Sequence, residues 1–508
     1  KIFESTLNFI NLQINKIDIL NESSKKKLYL LLENFIINDV YTNDILQYFL
    51  KVCNCINFIA DDIILLLQNK NSNILKYDYK HYFINKQYIS ALIQITYLLE
   101  NKKYNYELYY YYNIICKNIN KLPYKIINSN EIIIDETKPI LVFLDIMDID
   151  YTPYTPYIKG LGGTQICYIN LALKLTEKYN VIILNKKKSN DIVLCNNIYT
   201  IKYDTFESMV TYINNINPKI LIYNNIEIGT KIKSFLHTNI LLYMYEHICV
   251  YSHFNMKINQ DYYNNYDKLI FVSNNQKETY EKYCKINNNK VSILYNSLSP
   301  IYNYNNIEKP LLKNKELSII YCSNPQRGLE CFIHIFPKLR ELYPNITLKI
   351  CSSLDLYDIE DGETEKNLYK DLCAMDGVIY YGSVDQITLK NMLNESLLFI
   401  YPTFVCETFC NTMIEAMSCG CYVISSNIGA LKEVGDIYGA FVDMEIKNET
   451  DHPYYENIDI NYINKIIELC VNVITIYKTN PQQLELHLES QISFIKNKYK
   501  INPSSIFD

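Results

Sequence analysis

Two glutamates with seven residues between them, Glu407 and Glu415, stand in the stretch Pro402–Ala416 (PTFVCETFCNTMIEA). The run before it, Leu397–Tyr401, is apolar, and a helical pattern follows. With a helix starting near Phe409, eight steps of about 1.5 Å set the two carboxylates on the order of 12 Å apart. That is about the span from the sugar to the ribose of a nucleotide sugar. Between them, the first helical turn offers N–H groups without intrahelical acceptors, a fit for a diphosphate. The same spacing also fits two surface glutamates on an amphipathic helix. A second candidate is Tyr157–Gln165 (YIKGLGGTQ), ahead of a predicted helix at Ile166–Leu175. Its Gly160, Gly162 and Gly163 free the backbone to approach a ligand, and a helix N-terminus favours anions. The glycines also fit an ordinary turn. The dinucleotide fingerprint G-x-G-x-x-G fails, because Gln165 stands at its sixth position, and this argues against an NAD enzyme.

Both stretches need strand-to-helix turns, because open α/β sheets bind ligands beyond the carboxyl ends of their strands. From Lys138 onward the texture supplies them. Short apolar runs alternate with helical segments, the signature of βαβ units on a parallel sheet. Predicted strands are Ile140–Ile146, Val181–Leu184, Ile220–Tyr223, Ile240–Tyr245, Leu269–Val272 and Val291–Tyr295. Pro300–Lys315 is polar and contains Pro310, so it reads as a hinge or linker. A second series follows: Leu317–Tyr321, a helix over Leu329–Leu342, Thr347–Cys351, Val378–Tyr381, Leu397–Tyr401, a helix near Phe409–Ser418, and Tyr422–Ser425. Before about residue 130 the pattern is helical: Leu28, Leu31, Leu32 and Phe35 recur at helical spacing, as do Tyr48, Phe49, Val52, Ile56 and Ile59. Tyr82–Ile119 reads as a helical hairpin broken near Asn101–Asn105, and the chain is helical again from Thr450 to about Tyr499. The expected organisation is a helical region over 1–135, a first Rossmann-like lobe over 136–300, a second over 301–450 and closing helices over 451–508.

Composition narrows the function classes. A net charge of −6 argues against a dedicated nucleic-acid binder, which carries a basic stripe. The 49 tyrosines, with abundant Asn, Ile and Lys and no Trp, read as codon bias of an AT-rich genome. The cluster Tyr109–Tyr112 is therefore read as part of a half-buried helix rather than a base-stacking platform. The 16 cysteines include no C-x-x-C pair, so buried free thiols are expected, not a zinc or disulfide framework. No apolar run reaches the roughly 20 residues of a membrane span, and the N-terminal stretch is amphipathic rather than signal-like. A cytoplasmic protein without a transmembrane segment is expected.

The stretch Gly382–Val434 (GSVDQITLKNMLNESLLFIYPTFVCETFCNTMIEAMSCGCYVISSNIGALKEV) resembles the retaining glycosyltransferases of GT-B fold, the group-1 set known as family 4. It matches that family's order of Gly, helix, strand ending in Pro, Glu-x7-Glu, Glu-Ala-Met and Gly before the next strand, and the resemblance runs from about Ile140 to Ala440. It implies an α/β fold of two Rossmann-like lobes facing a cleft, here with an added helical N-terminal region. It implies transfer of a sugar, with retention, from a nucleoside-diphosphate sugar, UDP- or GDP-linked, to a glycan, protein or small-molecule acceptor. Glu407 resembles the carboxylate that binds the transferred sugar and Glu415 the one that binds the ribose diol. Backbone amides of Phe409, Cys410 and Asn411 would face the diphosphate. Ser323–Glu330 (SNPQRGLE) looks like the family's basic loop, so Arg327 would pair with the diphosphate. Cys322 stands where many members have a second basic residue. In the first lobe, Gly162 and Gly163 belong to a loop similar to the family's glycine loop. His247 resembles a histidine near the transferred sugar, with His253 as its competitor. Asn296 resembles an asparagine ahead of the hinge and is expected to be structural.

Asp148 and Asp150 form a D-x-D, which metal-dependent glycosyltransferases of the other main fold use. The resemblance does not need it, so neither a metal nor a cofactor is expected. Two rival readings stand beside the transferase. One is a non-catalytic scaffold of the same fold that binds partners, or itself, through the N-terminal helices. The other is a sugar-phosphate enzyme of similar fold, such as a phosphorylase or an epimerase; no motif supports the pyridoxal lysine a phosphorylase needs.

Overall fold

The computed structural model describes residues 22–37, 49–54, 58–59, 67, 79–100, 106–186, 189–223, 231–250, 260–284, 286–304, 309–444 and 459–507. The chain divides into two compact units, Lys1–Lys125 and Ile126–Asp508. The described part of the first unit includes helices Glu22–Ile37, Tyr79–Ile84, Tyr88–Glu100 and Tyr106–Asn118. Leu28, Leu32, Phe49 and Val52 are buried, as are Ile89, Leu92 and Ile95 along one helical face. Asn54 accepts the Ile89 backbone N–H at 3.0 Å and donates to Ser90 Oγ at 3.0 Å, fixing the start of the Tyr88–Glu100 helix. Tyr109, Tyr110 and Tyr111 are buried, and the Tyr111 ring meets Phe83 edge-on at 4.9 Å. These three tyrosines are core, and Tyr112 is half-buried. Tyr48, Ile56 and the break at Asn101–Asn105 lie outside the described residues.

In the second unit, a first sheet carries β1 (Ile140–Leu144), β2 (Asn180–Asn185), β3 (Ile192–Cys195), β4 (Ile198–Lys202), β5 (Ile220–Tyr223), β6 (Leu241–Glu246), β7 (Lys268–Phe271) and β8 (Val291–Ile293). Their spatial order is β3-β4-β2-β1-β5-β6-β7-β8, parallel throughout except for β3 against β4. The hairpin β3–β4 is not among the predicted strands. Its turn is Asn196–Asn197, with φ of 51° and 63°, a left-handed pair that asparagine tolerates and that tight hairpins require.

A second sheet carries β9 (Glu316–Cys322), β10 (Thr347–Cys351), β11 (Val378–Tyr380), β12 (Ser396–Tyr401), β13 (Tyr422–Ser426) and β14 (Ala440–Val442). Its order is β11-β10-β9-β12-β13-β14, all parallel. Strand β12 is buried along its whole length, which explains its unbroken apolar run. In each sheet the first strand of the series, β1 or β9, separates the two winding directions. The crevices beyond their carboxyl ends are the switch points where such sheets bind ligands.

We call the parts built on the two sheets the first and second lobes. The described residues of the segment read as a polar hinge are partly packed. They include helix Pro300–Asn303 and a 3-10 turn at Leu311–Asn314, with Ile301, Tyr302, Leu311 and Leu312 buried. Lys315 is buried because its ammonium donates to the carbonyls of Leu393, Ser396 and Cys419 at 2.9–3.0 Å. Helices Ile460–Thr479 and Pro481–Lys498 close the second lobe, and the tail then returns to the first. There Tyr179 donates to the Phe507 carbonyl at 2.6 Å and Lys268 to that of Ile506 at 2.9 Å. Among the described residues, no helix is long and apolar enough to cross a membrane.

Candidate active site

Strand β12 delivers the first carboxylate. The chain leaves Tyr401 through Pro402 into an irregular loop, and Glu407 is gripped from three sides. Tyr401 donates its hydroxyl to Glu407 Oε1 at 2.7 Å. The Arg327 guanidinium reaches the same oxygen at 3.3 Å. Behind the backbone, Ala430 N–H donates to the Glu407 carbonyl at 2.8 Å, in a turn where Gly429 (φ +59°) has no room for a side chain: a Cβ would lie 2.3 Å from that carbonyl oxygen. Arg327 itself is placed by Gly328 (φ +88°), where a Cβ would lie 2.1 Å from the Pro402 carbonyl oxygen. Two glycines thus bring the loops after β9 and β13 against the loop after β12.

The helix that follows is Asn411–Ser418, with extended Cys410 as its N-cap. It starts two residues later than predicted, so only the last four of the eight steps from Glu407 to Glu415 are helical. Glu415 lines the same cavity as Glu407. It is buried, its Oε2 has no hydrogen-bond partner among the described residues, and burial pushes its carboxyl up to about 8. Such a group costs stability unless something polar meets it.

The first lobe closes the other wall. Gly162 and Gly163 open helix Gly163–Leu175. Their role is close approach, since neither adopts positive φ. A Cβ on Gly160 would lie 2.2 Å from Ser383 Oγ, one on Gly162 would lie 2.9 Å from the Tyr357 ring, and one on Gly163 would lie 3.2 Å from Asn411 Nδ2. His247 follows β6, with its ring edge-on to Tyr245 at 4.3 Å. Its Nε2 is buried without a partner among the described residues, and burial lowers its pKa to about 3, so the ring is neutral. Its carbonyl accepts from Thr408 Oγ1 at 2.8 Å, beside Glu407. Asn296 is more than a hinge marker: it lines the cavity and donates to Asn411 Oδ1 at 3.0 Å, while Asn411 donates to the Gly163 carbonyl at 3.2 Å.

Gly162, Gly163, His247, Arg327, Glu407, Phe409, Cys410, Asn411 and Glu415 all line one cavity of about 220 Å³. Tyr401, Tyr357, Ser323, Ser383 and Thr408 line it too and were not singled out from sequence. They sit at strand ends or in loops without a spacing signal. Cys322 also lines it as a buried neutral thiol, its pKa raised by burial, so Arg327 is the only Lys or Arg of the described lining. Asp148 and Asp150 do not line it; the Asp150 N–H instead donates to Asp358 Oδ2 at 3.1 Å. Among the described residues, no group of three His, Cys, Asp or Glu is placed to hold a metal ion. His253 lies outside the described residues.

Two further contacts hold the lobes over the cavity. Glu433 of the second lobe accepts from the backbone N–H groups of Asn274 (2.8 Å) and Asn275 (2.9 Å), at the start of helix Asn274–Cys284, and from the Tyr295 hydroxyl at 2.8 Å. At the other side, Lys159 pairs with Asp358 at 2.8 Å.

Residues 304–438 match the family model Glycosyl transferases group 1. A phosphatidylinositol N-acetylglucosaminyltransferase subunit from Homo sapiens is 26% identical over 173 residues, which is 33% of this chain and 33% of that protein. The matched stretch is thus about a third of that relative's length. Sucrose-phosphate synthase from Thermosynechococcus elongatus superposes with a TM-score of 0.55 at 15% identity, over 73% of this chain and 96% of that one. Anabaena HepE, solved in complex with UDP and glucose, superposes with a TM-score of 0.51 at 14% identity, over 71% of this chain and 96% of that one. These likenesses show the fold, and it is GT-B.

Proposed function

We propose that this GT-B chain, whose second lobe matches glycosyl transferases group 1 over residues 304–438, moves a sugar from a nucleoside-diphosphate sugar to an acceptor hydroxyl. The observation that carries the reading is one cavity lined at once by Glu407, Arg327, the first turn of helix Asn411–Ser418 and the partnerless Glu415 carboxyl. Glu415 takes the ribose diol and Glu407 a hydroxyl of the transferred sugar. The diphosphate lies between them against Arg327, the N–H groups of Phe409, Cys410 and Asn411, and the Gly162–Gly163 turn. As the glycosidic bond breaks, negative charge grows on the leaving diphosphate, and these preorganised donors stabilise it. His247 is neutral and buried beside Thr408, so it offers its Nε2 to the sugar as a hydrogen-bond partner rather than as an acid. The cavity holds no side chain that we assign as a nucleophile. The departing phosphate takes the acceptor proton, and the anomeric configuration is retained. The reaction needs neither metal nor cofactor.

UDP-linked sugars are the first donors to test, because HepE was solved with UDP and glucose. The human relative is named for phosphatidylinositol and N-acetylglucosamine, so an inositol-bearing acceptor is tested beside glycans, proteins and small molecules. The decisive experiment is a thermal-shift panel of UDP-, GDP- and ADP-sugars, followed by acceptor-dependent release of the nucleoside diphosphate with and without EDTA. One donor should stabilise the wild type, and Arg327→Ala should weaken it by about 2–3 kcal/mol, the worth of a hydrogen-bonded charge. Turnover should survive EDTA. No shift with any donor at millimolar concentration would favour the scaffold reading instead.

A further inference from the structure

Tyr401 is the last residue of β12, and its buried ring stacks near Phe399 (5.8 Å between centroids) and Tyr321 (6.4 Å). Its hydroxyl donates to Glu407 Oε1 at 2.7 Å, with Ser323 Oγ behind it at 3.4 Å. Arg327 contacts the same Oε1 at 3.3 Å, and no hydrogen bond among the described residues uses Glu407 Oε2. One carboxylate oxygen is therefore held by the scaffold and the other is left to the cavity. The two holders differ in kind. The Arg327 contact is longer than the 2.7–2.9 Å typical of a charge-assisted hydrogen bond, and a diphosphate competes directly for a guanidinium. Tyr401 cannot be drawn off, because its ring is packed inside the sheet.

We propose that Tyr401 is a positioning residue: it keeps Glu407 Oε2 aimed at the transferred sugar once Arg327 has moved to the diphosphate. It then sets affinity for the sugar rather than for the nucleotide. This rests on the reading of Glu407 given above. The second holder, Ser323, orients the Tyr401 hydroxyl from behind and contributes less.

The test separates the sugar from the nucleotide by titration calorimetry. Three probe pairs are used: UDP against UDP-glucose, UDP against UDP-N-acetylglucosamine, and GDP against GDP-mannose. The ratio of the two affinities in the best pair is the sugar increment. Tyr401→Phe keeps the ring and removes only the hydroxyl. It should leave nucleoside-diphosphate affinity within about twofold and cut the sugar increment by about tenfold, the worth of one hydrogen bond to a charged group. Ser323→Ala should cut the same increment by about two- to threefold, and it stands in should Tyr401→Phe fail to fold. Equal weakening of nucleotide and nucleotide sugar in Tyr401→Phe would reveal a merely structural role and overturn the proposal, as would an unchanged increment. A wild type without any increment, or Glu407→Gln that keeps it, would overturn the assignment of Glu407 itself. That outcome is distinct from a silent Tyr401→Phe beside a sensitive Glu407→Gln.

Discussion

Raising the pH should tighten donor binding through Glu415. Its carboxyl lies at about 8 in the free protein because burial penalises the charge. A ribose diol donates hydrogen bonds, and a carboxylate accepts two where the protonated acid accepts poorly. If only the ionised form binds, about 1% of the protein is competent at pH 6 and about half at pH 8. Affinity should then rise about tenfold per unit below pH 7 and about 50-fold in all between pH 6 and 8. Ligation stabilises the anion, so binding near pH 7 should release close to one proton, read by calorimetry in buffers of different ionisation enthalpy. UDP-glucose is the better probe than UDP, whose terminal phosphate titrates near pH 6 itself. The other shifted groups of the lining stay outside this window: His247 falls to about 3, while Cys351 and Cys410 rise to about 12. Glu246, also raised to about 8, lies outside the cavity lining and serves as the internal control. Glu415→Gln should abolish the proton release; release that persists would belong to Glu246. The free protein should behave oppositely. A carboxyl raised above its ordinary 4.5 holds its proton in the fold, so its contribution is complete below 4.5 and is lost as pH rises through 8. Donor affinity that stays flat from pH 6 to 8.5, with no proton released, would refute the assignment of Glu415.

Gly160→Ala and Gly163→Ala should separate by degree. The first drives a Cβ to 2.2 Å from Ser383 Oγ, 2.6 Å from Leu356 and 3.2 Å from the Val384 carbonyl, whereas the second meets only Asn411 Nδ2 at 3.2 Å. Gly160→Ala should therefore prise the lobes apart, seen as a larger radius of gyration by X-ray scattering and weaker donor binding, whereas Gly163→Ala should leave the radius of gyration unchanged and weaken donor binding less. Glu433→Ala removes the carboxylate that caps helix Asn274–Cys284 from the opposite lobe. It should cost about 1–2 kcal/mol, as lost caps do, and speed donor dissociation in stopped-flow. An unchanged off-rate would show that Glu433 caps the helix without holding the lobes.

The periodicity of the apolar runs revealed most of the parallel strands because strands buried on both faces must be continuously apolar. It was silent on the hairpin at Asn196–Asn197, whose signal is the turn pair and not the short strands, and on Ala440–Val442, three residues at a sheet edge. The polar composition of Pro300–Lys315 did not reveal that Lys315 is buried, because the three carbonyls that receive its ammonium come from other elements. The candidate site was legible where it is local, as with the Glu407–Glu415 spacing and Arg327 beside Gly328. Tyr401 and Glu433 were not legible. Tyr401 meets Glu407 only six residues on, but through an irregular loop whose path no periodicity encodes, and the partners of Glu433 lie in the other lobe.

Charge sets a final constraint on the cavity. Before a donor arrives, Arg327 faces Glu407, Glu415 is largely protonated near neutral pH and His247 is neutral, so these groups nearly balance. On the proposed reading, a diphosphate brings two negative charges and the described lining has a single guanidinium to meet them, because Cys322 supplies a thiol where a second cation would serve. The remainder falls on fixed dipoles. Helix Asn411–Ser418 contributes a positive end equivalent to about half a charge, and helix Gly163–Leu175 opens on the same cavity from the first lobe. Those N–H groups converge only while the lobes are closed. The missing cation is thus replaced by closure, and the contacts at Glu433, Asp358 and Asn411 become part of the donor's electrostatics as well as of its enclosure.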